Sequence, residues 1–245
     1  MSEEKKIALV TGANKGIGFE IARQLGVQGI TILVGARDQA RGEAAVQKLR
    51  TENIEAVFVQ LDVTNQANID AAAAFVDQTY GRLDILVNNA GISVREGSMP
   101  PGQLSLEDLQ KTFVTNVFGV FAVTKAMLPL LRHSPAGRIV NLSSEMGSLG
   151  INSDADSYIA KLPPALAYNA SKTTLNALTV FFAKELQDTP IKVNSVSPGF
   201  VATDLNGHSG YLSTEQGAKA PVAYATLPAD GPTGGFFGEN GVIAW

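Results

Sequence analysis

The sequence predicts a doubly wound α/β fold in which a parallel sheet of about seven strands carries helices on both faces. Short apolar segments alternate with longer helix-period segments from residue 7 to about residue 196, which is typical of strand-helix-strand units. The strand segments are almost continuously apolar, as at 32–34 and 85–87, and this favours strands that are covered on both faces. Because 245 residues suffice for one large core, we expect a single domain over residues 1–245.

The elements follow one another along the chain. Strands are predicted at 6–11, 30–35, 55–60, 84–87, 137–142 and 191–196, with a last short strand at 235–237. Helices are predicted at about 17–27, 39–51, 66–79, 105–131 and 164–187. Asp38 is the predicted N-cap of the second helix, and Thr64 or Asn65 that of the third.

Two segments interrupt this alternation, residues 145–163 and residues 197–213. Both follow the carboxyl ends of predicted strands, where open parallel sheets bind ligands. Loops of this length in a compact domain are usually functional or disordered. Together with residues 92–101, they are the predicted substrate loops.

Composition argues against several classes of function. The chain has 19 Lys and Arg against 23 Asp and Glu, a net charge of −4, so it lacks the basic surplus that nucleic-acid binding needs. Polar residues and Pro129 interrupt the most apolar stretch, 113–131, so we expect no membrane span. The charged start leaves no room for a signal peptide, which predicts a cytoplasmic location. With no cysteine and two histidines, we expect no metal site.

The turn after the first strand reads Thr-Gly-Ala-Asn-Lys-Gly-Ile-Gly over residues 11–18. Glycines allow a tight strand-to-helix turn and let a pyrophosphate approach the free N–H groups of the helix. The spacing is Gly-x3-Gly-x-Gly rather than the usual Gly-x-Gly-x-x-Gly. The turn therefore indicates a phosphate-binding loop, with a plain tight connection as the alternative.

Tyr168 and Lys172 lie four residues apart, on one face of a predicted helix. Reduction of a ketone requires a proton donor at the oxygen, and a phenol with a pKa of about 10 suits neutral pH poorly. An ammonium at about 5 Å would contribute about 3 kcal/mol at an effective dielectric near 20, or roughly two pKa units. We expect Lys172 to lower the pKa of Tyr168; the alternative is a core tyrosine beside a solvated lysine.

Further motifs accompany this pair in a characteristic order. They are Thr11 to Gly18, Asp62-Val63, Asn88-Asn89-Ala90-Gly91, Asn116, Asn141-Leu142-Ser143-Ser144, Tyr168-x3-Lys172, and Pro198-Gly199 with Thr203. On these motifs the chain resembles the short-chain dehydrogenase/reductase family over essentially its whole length. Within that family it looks most like the carbonyl reductases of the monomeric type, which implies a Rossmann-type fold.

The resemblance implies a catalytic set of Asn116, Ser144, Tyr168 and Lys172. Tyr168 would be the acid or base, and Lys172 would lower its pKa and hold the nicotinamide ribose. Ser144 would polarise the carbonyl, since it fits the family's Ser-x-x-Gly, and Ser143 would pack at the strand end. Asn116 would carry a proton-relay water, with a helix-surface asparagine as the alternative.

The resemblance also implies a cofactor-binding set distributed over the loops. Its members are Gly12, Asn14, Lys15, Gly16, Ile17 and Gly18 in the first turn, Arg37 after the second strand, Asp62 and Val63 after the third, Asn89, Ala90 and Gly91 after the fourth, Tyr168 and Lys172 on the helix, and Pro198, Gly199, Val201 and Thr203 after the sixth strand. The first turn would contact the pyrophosphate. The loops after the third and fourth strands would contact the adenosine, and the loop after the sixth strand would contact the nicotinamide carboxamide.

The end of the second strand indicates which nicotinamide cofactor is used. NAD sites usually have an acid there, whereas this strand ends in Arg37, whose guanidinium suits a 2′-phosphate, and Lys15 adds a second positive charge. Asp38 argues the other way, and we interpret it as the helix cap. The sequence therefore predicts NADPH; the alternative for Arg37 is a solvated surface arginine.

These features predict NADPH-dependent reduction of a ketone or aldehyde in a tolerant, mainly apolar pocket. One alternative is an alcohol or steroid-like dehydrogenase that works oxidatively, and another is a non-catalytic NADP-binding scaffold or redox sensor. Ser144 and Tyr168 are 24 positions apart, which is shorter than the helical insertion of animal carbonyl reductases. Because that insertion covers the face on which most family members form tetramers, we expect a homodimer or homotetramer here.

Overall fold

The computed structural model describes residues 5–94 and 99–245. Its strands are β1 (Ile7–Thr11), β2 (Thr31–Ala36), β3 (Ala56–Gln60), β4 (Ile85–Asn88), β5 (Arg138–Leu142), β6 (Lys192–Val196), β7 (Phe236–Gly238) and β8 (Gly241–Val242). They form one sheet of order β3-β2-β1-β4-β5-β6-β7-β8. Neighbours from β3 to β7 are parallel, and β8 is antiparallel to β7. The predicted fold class is confirmed.

The helices connect these strands. They are α1 (Gly16–Val27), α2 (Gln39–Thr51), α3 (Gln66–Tyr80), α4 (Leu106–Phe113), α5 (Val120–Arg132), α6 (Leu149–Ser153), α7 (Leu166–Glu185) and α8 (Thr214–Ala225). A π-helical turn, Val114–Gly119, joins α4 to α5. Asp38 caps α2 by accepting from Arg41 N, and Asn65 rather than Thr64 caps α3.

Two apolar layers enclose the sheet. Successive side chains of a strand point to opposite faces, so Ala8 and Val10 pack in one layer with residues of α1, α2 and α8. Ile7 and Leu9 pack in the other layer with residues of α3, α5 and α7. Burial on both faces explains why the strands read as unbroken apolar segments.

Some elements differ from the prediction. The seven predicted strands all form within one residue of the expected limits, but α8 and β8 were not predicted. Gly217 and Pro221 disfavour a helix, yet Ser213 and Gln216 form a capping box at its start, and this signal was available in the sequence. The predicted loop 145–163 contains α6 and two short 3₁₀ turns.

The helical run Leu106–Arg132 is long and apolar enough to cross a membrane, with a mean hydropathy of 1.6 in its most apolar window. The expectation that its composition excludes such a span is therefore wrong. Half of that window is buried inside the domain, where Val123 and Met127 are fully buried in the core. We therefore assign this run to the core of the fold.

The carboxyl ends of the strands form the edge on which the candidate site lies. Strand order reverses at β1, which pairs with β2 on one side and β4 on the other, and such a reversal opens a crevice for ligands. At the other end of the sheet, Trp245 stacks on Phe236 and its carbonyl accepts from Gly150 N at 2.7 Å. The tail thereby fastens α6 to β7.

Candidate active site

The turn between β1 and α1 is shaped to receive an anion. Gly12 and Gly16 have φ of +66° and +59°, a left-handed backbone that favours glycine. Lys15, the N-cap of α1, makes no side-chain capping hydrogen bond, so the first N–H groups of the helix have no side-chain acceptor from the cap. Together with the helix dipole, they fit a pyrophosphate.

Thr11 joins this turn to the end of β4. Its hydroxyl oxygen accepts from the backbone N–H groups of Asn89 and Ala90 at 3.0 and 2.9 Å, and Asn89 Nδ2 donates to Thr11 O at 2.7 Å. Gly18 packs so closely that an added Cβ would collide with the Asn89 amide. The predicted cofactor residues of β1 and β4 therefore form one rigid surface.

Asn116 lies on the π-helical turn and is 1% exposed, so the alternative of a helix-surface asparagine is wrong. Its Oδ1 accepts from Ile92 N at 2.9 Å, and its Nδ2 donates to Ile92 O at 2.9 Å and Ser171 Oγ at 3.0 Å. The side chain thus connects the loop after β4 to α7. A relay water at Asn116 stays a prediction.

The two adjacent serines have different surroundings. Ser143 is buried, and its hydroxyl donates to Asn176 Oδ1 at 2.6 Å. Ser144 is half-buried at the start of a short 3₁₀ turn, where its Oγ accepts from Met146 N at 3.2 Å, and its hydroxyl lies near enough to Tyr168 to lower the pKa of the phenol. This geometry supports Ser144 as the serine that faces the reacting group.

Tyr168 and Lys172 lie on one face of α7, with Lys172 Nζ 5.6 Å from the centre of the tyrosine ring. Lys172 Nζ donates to Leu142 O at 2.7 Å, which holds the lysine against the end of β5. Gly147 lets the turn after Ser144 pack directly on α7, since an added Cβ would lie 2.6 Å from Lys172 Cβ. The structure therefore brings Ser144, Tyr168 and Lys172 together.

The pKa of Tyr168 differs from the expectation. Burial raises it to about 12, although the hydrogen bond from Ser144 lowers it. Burial also lowers the pKa of Lys172 to about 8, because a low-dielectric site disfavours every charged form. The expectation that Lys172 lowers the pKa of Tyr168 is therefore wrong: desolvation is the largest cause of the shift, and Tyr168 carries its proton at neutral pH.

The two predicted ligands of a 2′-phosphate behave differently. Arg37 is exposed at the end of β2, and its guanidinium has no partner among residues 5–94 and 99–245. Lys15 instead pairs with Asp204, with Nζ 2.6 Å from Oδ2. Asp38 caps α2 as expected, so it is not held as a ribose ligand. The pairing of Lys15 with Asp204, and of Asp204 with His208, was missed because these residues come from a distant loop.

The remaining cofactor residues line the same edge. Asp62 Oδ1 accepts from Thr64 N and Oγ1 at 2.9 and 2.7 Å, which fixes the carboxylate in a turn beside the buried Val63. After β6, Pro198 and Gly199 lead to Val201, which is 3% exposed and bridges to Leu212. Thr203 begins the next 3₁₀ turn. The remaining positions Asn14, Ile17 and Gly91 are half-buried.

Buried polar side chains below the site were also missed. Asn88 Nδ2 donates to Asn141 Oδ1 at 2.8 Å, and Asn141 Nδ2 donates to Thr179 Oγ1 at 2.8 Å. Thr179 in turn hydrogen-bonds Ser195 at 2.8 Å. This ladder ties β4, β5, β6 and α7 together. Asn88 and Asn141 stand in the motifs noted above, but nothing in the sequence pairs them.

The predicted substrate loops contribute residues to the surface beside α7, and residues 95–98 lie outside the described residues. Phe200 and Tyr211 form an edge-to-face pair with ring centres 6.0 Å apart. Glu145 and Tyr211 both raise the pKa of Tyr158, after burial as the main cause, so all three lie near one another. Beside α7 is a cavity of about 350 Å³, lined by residues that include Met146, Leu149, Ile159 and Asn169.

The fold and this cluster define a dinucleotide-binding α/β protein with a Ser-Tyr-Lys centre. The profile described as short chain dehydrogenase matches residues 6–211. The chain therefore belongs to the short-chain dehydrogenase family, whose members include the oxidoreductases described next.

Several relatives cover the whole chain. It is 36% identical to (-)-isopiperitenone reductase of Mentha piperita, over 100% of this chain and 99% of that protein. It is 35% identical to carbonyl reductase [NADPH] 1 of Bos taurus, over 100% of each. A solved NADPH-bound carbonyl reductase from chicken fatty liver has a TM-score of 0.86 at 28% identity, covering 99% of this chain and 100% of that one. The mint alignment extends over 314 positions against 245 residues here, so that relative has segments this chain lacks.

The protonation of Tyr168 can be measured directly. We expect ultraviolet difference titration of the wild type against Tyr168→Phe to show no tyrosinate signal from Tyr168 below about pH 10, because burial raises its pKa to about 12. Tyr211→Phe, at an exposed tyrosine, is the control for the loss of one ring. A signal near neutral pH that disappears only in Tyr168→Phe would show that Lys172 outweighs burial.

Proposed function

We propose that this protein reduces a ketone or aldehyde to the alcohol with NADPH, and that Tyr168 is the general acid. The observation that supports this most is the clustering of Ser144, Tyr168 and Lys172 at the edge of the sheet where the glycine turn opens. Ser144 lowers the pKa of the Tyr168 hydroxyl, and Lys172 Nζ lies 5.6 Å from the centre of the tyrosine ring. The names of the relatives agree with this chemistry and with this cofactor.

The described residues fit NADPH. The left-handed glycines and uncapped start of α1 suit the pyrophosphate, and Asp62 is fixed where the adenosine end would lie. Arg37 has no partner in the described chain, which leaves its guanidinium available for a 2′-phosphate. The Asp38 carboxylate accepts from the N–H of Arg41 at 2.9 Å. Because this acid caps α2, it does not favour NADH as a free ribose ligand would.

The site residues divide the chemistry among themselves. Bound NADPH supplies the hydride. Tyr168 donates its proton to the carbonyl oxygen, while the Ser144 hydroxyl holds that oxygen in place. The Lys172 ammonium, which burial brings to a pKa of about 8, remains mostly charged at neutral pH and stabilises the phenolate left on Tyr168. Asn116 keeps the loop after β4 in register with α7.

The same residues serve an oxidative dehydrogenase if the reaction runs backwards, with Tyr168 as the base. The free Arg37 favours NADPH, the cofactor used for reductions, over this alternative. A non-catalytic scaffold would not need a serine hydroxyl beside a half-buried tyrosine and a buried lysine. A cytoplasmic location stays a prediction from the sequence.

Paired serine variants test the mechanism. With NADPH and a panel of ketones and aldehydes, we expect Tyr168→Phe to lower turnover about 10²- to 10⁴-fold and Ser144→Ala about 10²- to 10³-fold. Ser143→Ala is the matched control, because its hydroxyl bonds Asn176 below the site, and it should lower stability more than turnover. Equal losses in both serine variants, or full activity in Tyr168→Phe, would refute the assignment.

The substrate surface favours uncharged, largely apolar carbonyl compounds. Phe200 and Tyr211, both on the loop after β6, are exposed and pack edge to face with each other. Met146 adds an apolar side chain next to Ser144, and the neighbouring Glu145 is acidic. An anionic substrate would be repelled by the Glu145 carboxylate.

Ketones that differ in charge test the proposed substrate class. We expect kcat/KM for cyclic and aryl ketones to exceed that for ketones carrying a phosphate or a phosphopantetheine arm by at least about fivefold, measured as NADPH oxidation, since two unit charges at close range interact by about 1 kcal/mol or more. A phosphopantetheine-linked ketone as the best substrate would overturn this substrate class.

An apolar face supports self-association. Val114, Phe118 and Phe121 follow one side of the π-helical turn and α5, and they are 39%, 60% and 44% exposed. Phe181 on α7 is 67% exposed. A groove of about 300 Å³ continues this face along α4. Large exposed apolar patches mark interaction sites, and a second copy of the chain is the partner that the shortened segment before α7 leaves room for.

Light scattering after gel filtration tests this interface. We expect the wild type at two or four times its mass of 25.8 kDa, and Phe118→Glu combined with Phe181→Glu at the monomer mass, because buried charges oppose association. Val27→Glu, at a residue that is 65% exposed on α1, should leave the mass unchanged. A wild type that is monomeric at high concentration would contradict the proposal.

A further inference from the structure

An ion pair crosses between the glycine turn and the loop after β6. Lys15 Nζ lies 2.6 Å from Asp204 Oδ2, and His208 Nε2 lies 2.9 Å from Asp204 Oδ1. The loops also touch beside it, since a Cβ added to Gly16 would be 3.9 Å from Thr203 Cγ2. The Lys15 ammonium is therefore committed to a carboxylate directly over the start of α1.

Asp204 is presented by a rigid turn. Asn206 Nδ2 donates to Val201 O at 2.8 Å, and its Oδ1 accepts from Thr203 N at 3.2 Å. His208 has a left-handed φ of +61° and donates its N–H to Thr203 O at 2.8 Å. The backbone thus fixes the carboxylate, whereas Lys15 reaches it on a flexible four-carbon chain.

Lys15 has two possible partners on opposite sides. Arg37 follows β2, which borders β1 on one side, and Asp204 follows β6, which lies on the other side of β1 in the sheet. A 2′-phosphate held by Arg37 would therefore attract the ammonium away from Asp204. When Lys15 is paired with Asp204, its ammonium is engaged by a loop from the side of β1 away from Arg37.

We propose that Asp204 competes with the cofactor's 2′-phosphate for Lys15 and so limits the preference for NADPH over NADH. This inference rests on the proposed NADPH-dependent function. With NADH, Lys15 stays on Asp204 and contributes nothing to selectivity. With NADPH, the gain from the second cation is reduced by the ion pair that has to break. Lys15 and, second, His208 hold the pKa of Asp204 below its usual value, so the competing charge is present at neutral pH.

Fluorescence titration of the nucleotides onto the purified protein tests the competition. We expect Asp204→Asn to lower the Kd for NADPH about two- to fivefold and to change the Kd for NADH less, in keeping with the strength of an exposed ion pair. Lys15→Met should raise the Kd for NADPH and spare NADH. In the Lys15→Met background, Asp204→Asn should leave the ratio of the two Kd values unchanged.

Asp188→Asn is the matched control, because it removes the same charge from an exposed position that precedes β6, at the amino ends of the strands. An equal effect of Asp204→Asn on both nucleotides, or a change of ratio that persists with Lys15→Met, would overturn the competition. The proposed cofactor preference fails separately, if Arg37→Met leaves the ratio as it is in the wild type.

Discussion

The close packing of the turn after β5 against α7 is the constraint on which the site depends. Gly147 leaves no room for a side chain above Lys172, and the hydroxyl of Thr173 donates to Gly147 O at 2.8 Å. This contact sets the distance between the turn that carries Ser144 and the helix that carries Tyr168. The polar ladder beneath, from Asn88 through Asn141 to Thr179, holds the same strands and helix in register.

That packing also determines the electrostatics. It buries a phenol and an ammonium together, so burial disfavours the charged form of each. Tyr168 stays protonated. Lys172 keeps most of its charge because the ordinary pKa of a lysine is so high that the lowered value, about 8, still exceeds neutral pH. The site is thus better prepared to give a proton than to take one, which agrees with reduction as the forward direction. A phenolate that forms on Tyr168 would be stabilised by the nearby Lys172 ammonium.

Much of the fold and of the candidate site could be predicted from the sequence, because alternating apolar segments fix strands and helices locally. The glycine turn, Ser144 and the Tyr168 pair follow from short motifs. The partner of Lys15 could not be predicted, since Asp204 is 189 positions away and only the folded loops bring them together. The pKa of Tyr168 was misjudged for a related reason: a Coulomb sum over two residues omits the burial that tertiary packing imposes. Helix α8 was missed because Gly217 and Pro221 masked its capping box.

The contacts of Trp245 with Gly150 and Phe236 connect α6 to the last strands of the sheet. The outermost part of the sheet and the segment that leads to Tyr168 share one set of contacts, so they open and close as one cooperative unit. We therefore expect fraying of β7 and β8 to displace the segment that precedes Tyr168. Fraying of β3, at the other edge of the sheet, would act on a part of the described chain that these contacts do not join to that segment.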